Sequence, residues 1–152
     1  VTDNLTALED WAAPLLRQLQ PDARNRLART LAQQLRRSQQ QRITRQQNPD
    51  GTPYVPRKQR DLRSKQGRIK RKAAMFAKLR TARYLKARGD GNAISVGFTG
   101  RIARIARVHQ YGLRDRAEPG AKDVGYARRE MLGLTGRELE LVRDGLLKHL
   151  QA

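Results

Sequence analysis

The chain has no cysteine and only two histidines. Disulfides and thiolate metal sites are therefore excluded, and two histidines without a thiolate partner fall short of an ordinary zinc site. Aromatic residues make up 5% of the sequence, leaving few side chains for stacking on bases. No apolar run approaches the ~20 residues that a bilayer-spanning helix requires. The opening VTDNLTALEDW has neither the charge nor the apolar pattern of a signal peptide, so a soluble, intracellularly made protein is expected. Acidic residues are scarce as well: 14 against 33 Lys and Arg, a net charge of +19. An excess of that size points to a polyanionic partner, or to acidic protein surfaces met in an assembly. Hydrophobic residues reach 38% of 152, enough for a thin core of the kind that neighbouring subunits complete. The length suits a single domain. It divides into a helical region (1–47), a loop and basic arm (48–72), and a core ending in a helix (73–152).

The stretch 91–112, GNAISVGFTGRIARIARVHQYG, is the most informative. Ile94, Val96 and Phe98 alternate with Ser95, Gly97 and Thr99, the period of a half-buried strand. From Arg101 the period becomes three: Ile102, Ile105 and Val108 are apolar, and Arg101, Arg104 and Arg107 are basic. On a helix each three-residue step drifts by about 60°, so the arginines cover an arc of roughly 120° while the apolar set packs inward. Tyr111 and Gly112 read as a helix stop. This is a scaffold presenting a basic contact surface.

Upstream, Leu8, Trp11, Ala12, Leu15 and Leu19 have helical spacing. Thr6 and Glu9 suit a capping box, and Pro14 predicts a kink or break. Pro21 suits the first turn of a second helix, running to about residue 47. Its stripe is Leu27, Leu31, Leu35 and Ile43, with Gln39 where another apolar residue would be expected. The other faces hold its arginines, Arg42 among them, most of them read as solvated, since their unspaced scatter specifies no nucleic-acid groove. Residues 48–56 (NPDGTPYVP) form a turn-rich loop. Asp50 is its only acid, so it lacks a calcium-loop pattern. The arm 57–72 (RKQRDLRSKQGRIKRK) has too little apolar content to order itself and suits a phosphate or an acidic protein surface. Residues 73–79 suggest a helical turn with Met75, Phe76 and Leu79 inward. Residues 81–88 and 93–99 suggest a hairpin around a turn at 89–92. Residues 113–125 read as a loop, with an edge strand near 122–126. Thr135 and Glu138 form a second capping box before a helix lined by Leu139, Val142, Leu146 and Leu150. The expected fold is α+β: a small antiparallel sheet flanked by helices, with a long N-terminal helix and an extended basic arm.

No phosphate-binding, dinucleotide-binding or nucleophile-elbow motif occurs. Two glycines, Gly97 and Gly100, before a helix make only a weak anion-binding turn. No acid or nucleophile is spaced to work with His109, which reads as a hydrogen-bonding structural residue. His149 lies at a helix C-terminus, where a positive group suits the dipole. No catalytic residue, cofactor or metal site is expected.

Taken in order, the sequence carries QRI at 41–43, NPDG at 48–51, Pro53, PR at 56–57, MF at 75–76 and KLR at 78–80. VGF follows at 96–98, GR at 100–101, ARIARVHQYG at 103–112, Tyr126, RR at 128–129 and LGL at 132–134. This succession resembles the phage virion morphogenesis family, from the second helix to the end of the chain. The ARIARVHQYG block is its most specific part. The resemblance implies a structural protein that completes the tail of a contractile-tailed phage at its head-proximal end and readies it for head joining. A ring, commonly sixfold, of tail-terminator or neck-protein fold is implied. Its partners would be its own copies, the tail tube, the sheath and the head connector, with non-specific contact with phage DNA and none with membrane. Its place would be the tail or neck of the virion, after synthesis in the bacterial cytoplasm. Arg101, Arg104, Arg107, His109 and Tyr111, with Asn48, Asp50 and Arg57, are the expected assembly contacts. The alternative is a small basic nucleic-acid-binding protein, which predicts a clustered basic face with stacking aromatics or a recognition helix.

Overall fold

A computed structural model describes residues 2–58 and 74–150. Most of the basic arm therefore lies outside the described residues. The elements in order are α1 (Thr2–Arg17), α2 (Pro21–Thr44), β1 (Leu85–Gly89), β2 (Ile94–Phe98), α3 (Ile102–Tyr111), β3 (Arg114–Arg116), β4 (Asp123–Gly125) and α4 (Gly136–Leu150). The class is α+β, as expected, with the strands arranged as two antiparallel hairpins, β1–β2 and β3–β4.

Helix α2 is the spine. Leu27, Ala28, Leu31, Ala32, Leu35 and Ile43 are buried along it. The hairpin β1–β2 lies across α2, with Leu85 opposite Phe98 and Ala87 opposite Val96. Gly89 makes that approach feasible: a Cβ there would stand 2.4 Å from the backbone of Ala28. One apolar cluster joins Ile43, Tyr54, Leu79, Leu85, Ala106 and Met131, with Phe76, Phe98 and Ile102 against it. A second joins Ala12 of α1, Leu27 and Leu31 of α2, and Leu146 of α4. The core is thus split between the two ends of α2.

Several boundaries differ from expectation. Helix α1 begins at Thr2, so Thr6 lies inside it and the Thr6–Glu9 pair does not cap its start. Pro14 is accommodated within α1, which continues to Arg17. Helix α2 ends three residues early, at Thr44. Gln46 takes a left-handed φ of 58°, and its side-chain amide pairs with the backbone of Met75. It accepts from Met75 N at 2.7 Å and donates to Met75 O at 2.9 Å. That tertiary pairing replaces the last helical turn. The hairpin starts at Leu85 because residues 75–84 form successive turns, and its reversal sits at 90–93, where the Asp90 carboxylate accepts from Asn92 N and Ala93 N. Residues 114–116, read as loop, pair with β4.

Candidate assembly surface

Helix α3 presents two faces with different tasks. The inner face carries Ile102, Ala106, His109 and Gln110. Gln110 is a backbone surrogate: its Oε1 accepts from Met131 N at 2.9 Å and Leu132 N at 3.0 Å, and its Nε2 donates to Leu132 O at 2.7 Å. These bonds satisfy an irregular segment, 129–133, that pairs with no strand among the described residues. The segment is held from its other end by Arg129, itself buried. Arg129 Nε donates to Val55 O at 2.7 Å and Nη2 donates to Pro56 O at 3.0 Å, clasping the loop 48–56. Its Nη1 lies 3.3 Å from His109 Nδ1. A guanidinium can only donate, so His109 accepts there and carries its proton on Nε2. Burial, reinforced by the Arg129 charge, lowers the His109 pKa to about 4. Its ring stacks edge-on between Phe76 (4.9 Å) and Tyr126 (5.1 Å). His109 is a neutral structural histidine.

The loop bearing Asn48 and Asp50 is braced in the same way. Asn48 Oδ1 accepts from Glu130 N at 2.8 Å, and the Asp50 carboxylate accepts from Thr52 N at 2.9 Å. The hydrogen bonds from Thr52, side chain before backbone, lower the Asp50 pKa. Tyr54 is buried under the loop, and burial raises its pKa to about 12. Arg57 is exposed beside it.

Sequence reading missed a polar centre on α2. Arg42, assigned to a solvated face, is buried with Gln39 and Glu138. Glu138 Oε1 accepts from Arg42 Nη1 at 2.9 Å, Gln39 Nε2 at 2.8 Å and Ser38 Oγ at 2.7 Å. Its other oxygen accepts from Thr135 N at 2.8 Å, and Thr135 Oγ1 accepts from Glu138 N at 3.2 Å, completing the predicted capping box. Gln39 also exchanges two bonds with the backbone of Gly133. The polar residue in the apolar stripe of α2 was the available signal for this centre.

The outer face of α3 is the exposed one. Arg101, Arg104, Ile105, Arg107 and Tyr111 are all exposed, Tyr111 by 61%. Ile105, expected to pack inward, points to solvent at 46% exposure, because Ala106 takes the core position. Arg104 pairs with Asp115 on β3, whereas Arg101 and Arg107 form no ion pair among the described residues. Gly112 stops the helix at a φ of 63°, as expected, its amide position closing onto Val108 O. Beside Arg107 and Tyr111, a hollow of about 380 Å³ is floored by Phe98, Ala103, Ala106 and Leu132. Among the described residues no group of acids and histidines could hold a metal, and no helix is long and apolar enough to cross a membrane.

Helix α3 thus has a braced inner face and an exposed, charged outer face. Residues 3–151 match the phage virion morphogenesis family, and the chain belongs to that family, whose members are structural proteins of the phage particle rather than enzymes. It is 43% identical over 144 residues to tail completion protein S of Escherichia phage P2, covering 94% of this chain and 95% of that protein. No solved structure matches it.

Proposed function

We propose that this chain completes the phage tail at its head-proximal end and mediates its joining to the head, working as a ring of identical copies. The near full-length identity to a tail completion protein carries this reading. A tail-terminator-like role also suits a small α+β unit whose core is divided and thin, since such a subunit gains stability from its neighbours. On this reading the exposed Arg101, Arg104, Arg107 and Tyr111, with Asp50 and Arg57 of the loop, meet other subunits, tail tube, sheath or connector. His109 and Asn48 act behind them, holding that surface in place. The basic arm meets acidic sheath or connector surfaces, with DNA contact a side effect of charge.

The nucleic-acid reading draws on the charge of +19 alone. Arg42 and Arg129 are consumed inside the fold, and Arg104, Arg116, Arg128 and Arg143 are paired with acids. Disrupting the gene in its phage and imaging the lysate tests the proposal. Separate filled heads and unjoined tails, with joining restored by the wild-type chain in trans, are expected. Complete particles in its absence would overturn it.

A further inference from the structure

The charge of the chain is unevenly distributed. Residues 1–22 hold four of its 14 acids and one of its 33 basic residues. Within that region α1 packs its Ala12 face onto the second cluster and turns Asp3, Ala7, Asp10, Trp11 and Pro14 to solvent. At 100° per residue these five fall within an arc of about 100°. Ala7, Trp11 and Pro14 form an exposed apolar row, with Asp3 and Asp10 along one side. Neither acid forms an ion pair among the described residues. Trp11, the only tryptophan, is 39% exposed, and an uncovered aromatic beside like charges is the anatomy of an interface anchor.

The outer face of α3 is its complement. Arg104, Arg107 and Tyr111 lie within about 60° of one another, and the apolar hollow opens beside the last two. We infer that the Asp10–Trp11 face of α1 on one copy docks on the Arg107–Tyr111 face of α3 on the next, with the Trp11 indole over the hollow and Asp10 against Arg107. This deepens the self-assembly reading and rests on it. Two different patches meet, so the contact is heterologous, the kind that closes into rings when the rotation permits. It also answers an electrostatic difficulty. Copies each carrying +19 repel one another, and seating the one acidic helix on the exposed arginines places attraction where the surfaces touch. An acidic segment of another tail protein is the competing occupant, and the test separates the two.

Because the chain has no cysteine, single introduced thiols report contacts directly. Asp10→Arg and Arg107→Asp chains, checked for wild-type far-UV dichroism, are compared with wild type by light scattering at physiological salt after nuclease treatment, alone and with unfinished tails. Each single reversal is expected to raise the concentration for half-assembly roughly tenfold or more, and the combined reversal to restore it to within about threefold of wild type. Mixing a Trp11→Cys chain with a Tyr111→Cys chain under mild oxidation is expected to give a disulfide-linked dimer. A mixture with Gln34→Cys, exposed on α2, is expected to give little. If wild type assembles while the reversals assemble equally well and the thiol pair links no better than the control, this interface is wrong and self-assembly stands. A wild-type chain that remains monomeric under both conditions overturns the self-assembly reading itself.

Discussion

Glu138 accepts hydrogen bonds from three residues of α2 while capping its own helix, so its carboxylate ties α4 to the spine. Glu138→Ala would leave Arg42 buried without its counter-charge, a loss of about 3–5 kcal/mol. The double variant Arg42→Met with Glu138→Leu removes both charges and is expected to cost less than Glu138→Ala alone, measurable by urea unfolding. His109 gives a separate pH signature. Its folded pKa, lowered to about 4 from 6.5, means the unfolded chain binds the proton more readily. The stability is therefore fully present above about pH 6.5 and is lost as pH falls toward 4. Solvent around the half-buried ring screens part of the effect, leaving about 1 kcal/mol lost between pH 7 and pH 5. Unfolding curves at the two pH values should show it, and His109→Gln should flatten the difference. The histidine's structural character was legible from its lack of a spaced acid or nucleophile. Its partner Arg129 was not, because a contact across twenty residues leaves no local period to read.

Elements followed their periodicities where packing agreed with them. Helix α3 and its glycine stop, the capping box of α4 and the strand over 94–98 all formed as the spacing dictates. Where they departed, a tertiary contact had overridden the local preference: Gln46 exchanged helix for pairing with Met75, and Ala106 took the core position that Ile105 would have filled. Of the β3–β4 hairpin the edge strand near 122–126 was readable and forms β4, whereas β3 was not, because a three-residue strand carries no usable alternation. At Gly89 the backbone of β1 lies so close to the backbone of Ala28 that a Cβ has no room. Since backbone cannot yield as a flexible side chain can, Gly89→Ala should push β1 off α2 and destabilise by about 1–3 kcal/mol. A thermal melt reads this, and an unchanged midpoint would mean that β1 and α2 are less closely packed than described.

On the scale of the whole molecule, the charge that first suggested nucleic acid is divided among different tasks. Two arginines are structural, several are paired, and Arg107, exposed on α3, sits beside an apolar hollow. Family membership was legible in the succession of short motifs. The ARIARVHQYG block divides its work: His109 and Gln110 hold 129–133, while Arg104 and Arg107 face outward. The acidic, tryptophan-bearing face of α1 was not legible, since the row Ala7, Trp11 and Pro14 gains meaning only once the opposite side is seen buried. The central claim, that the protein itself finishes the tail, is tested most directly by add-back. Filled heads and unjoined tails from a phage lacking the gene are mixed with purified, nuclease-treated protein, and infectious particles are counted. The account predicts that titre rises with added protein and that Arg107→Asp restores far less. No rise with wild-type protein, or a rise only when nucleic acid is supplied with it, would contradict the account.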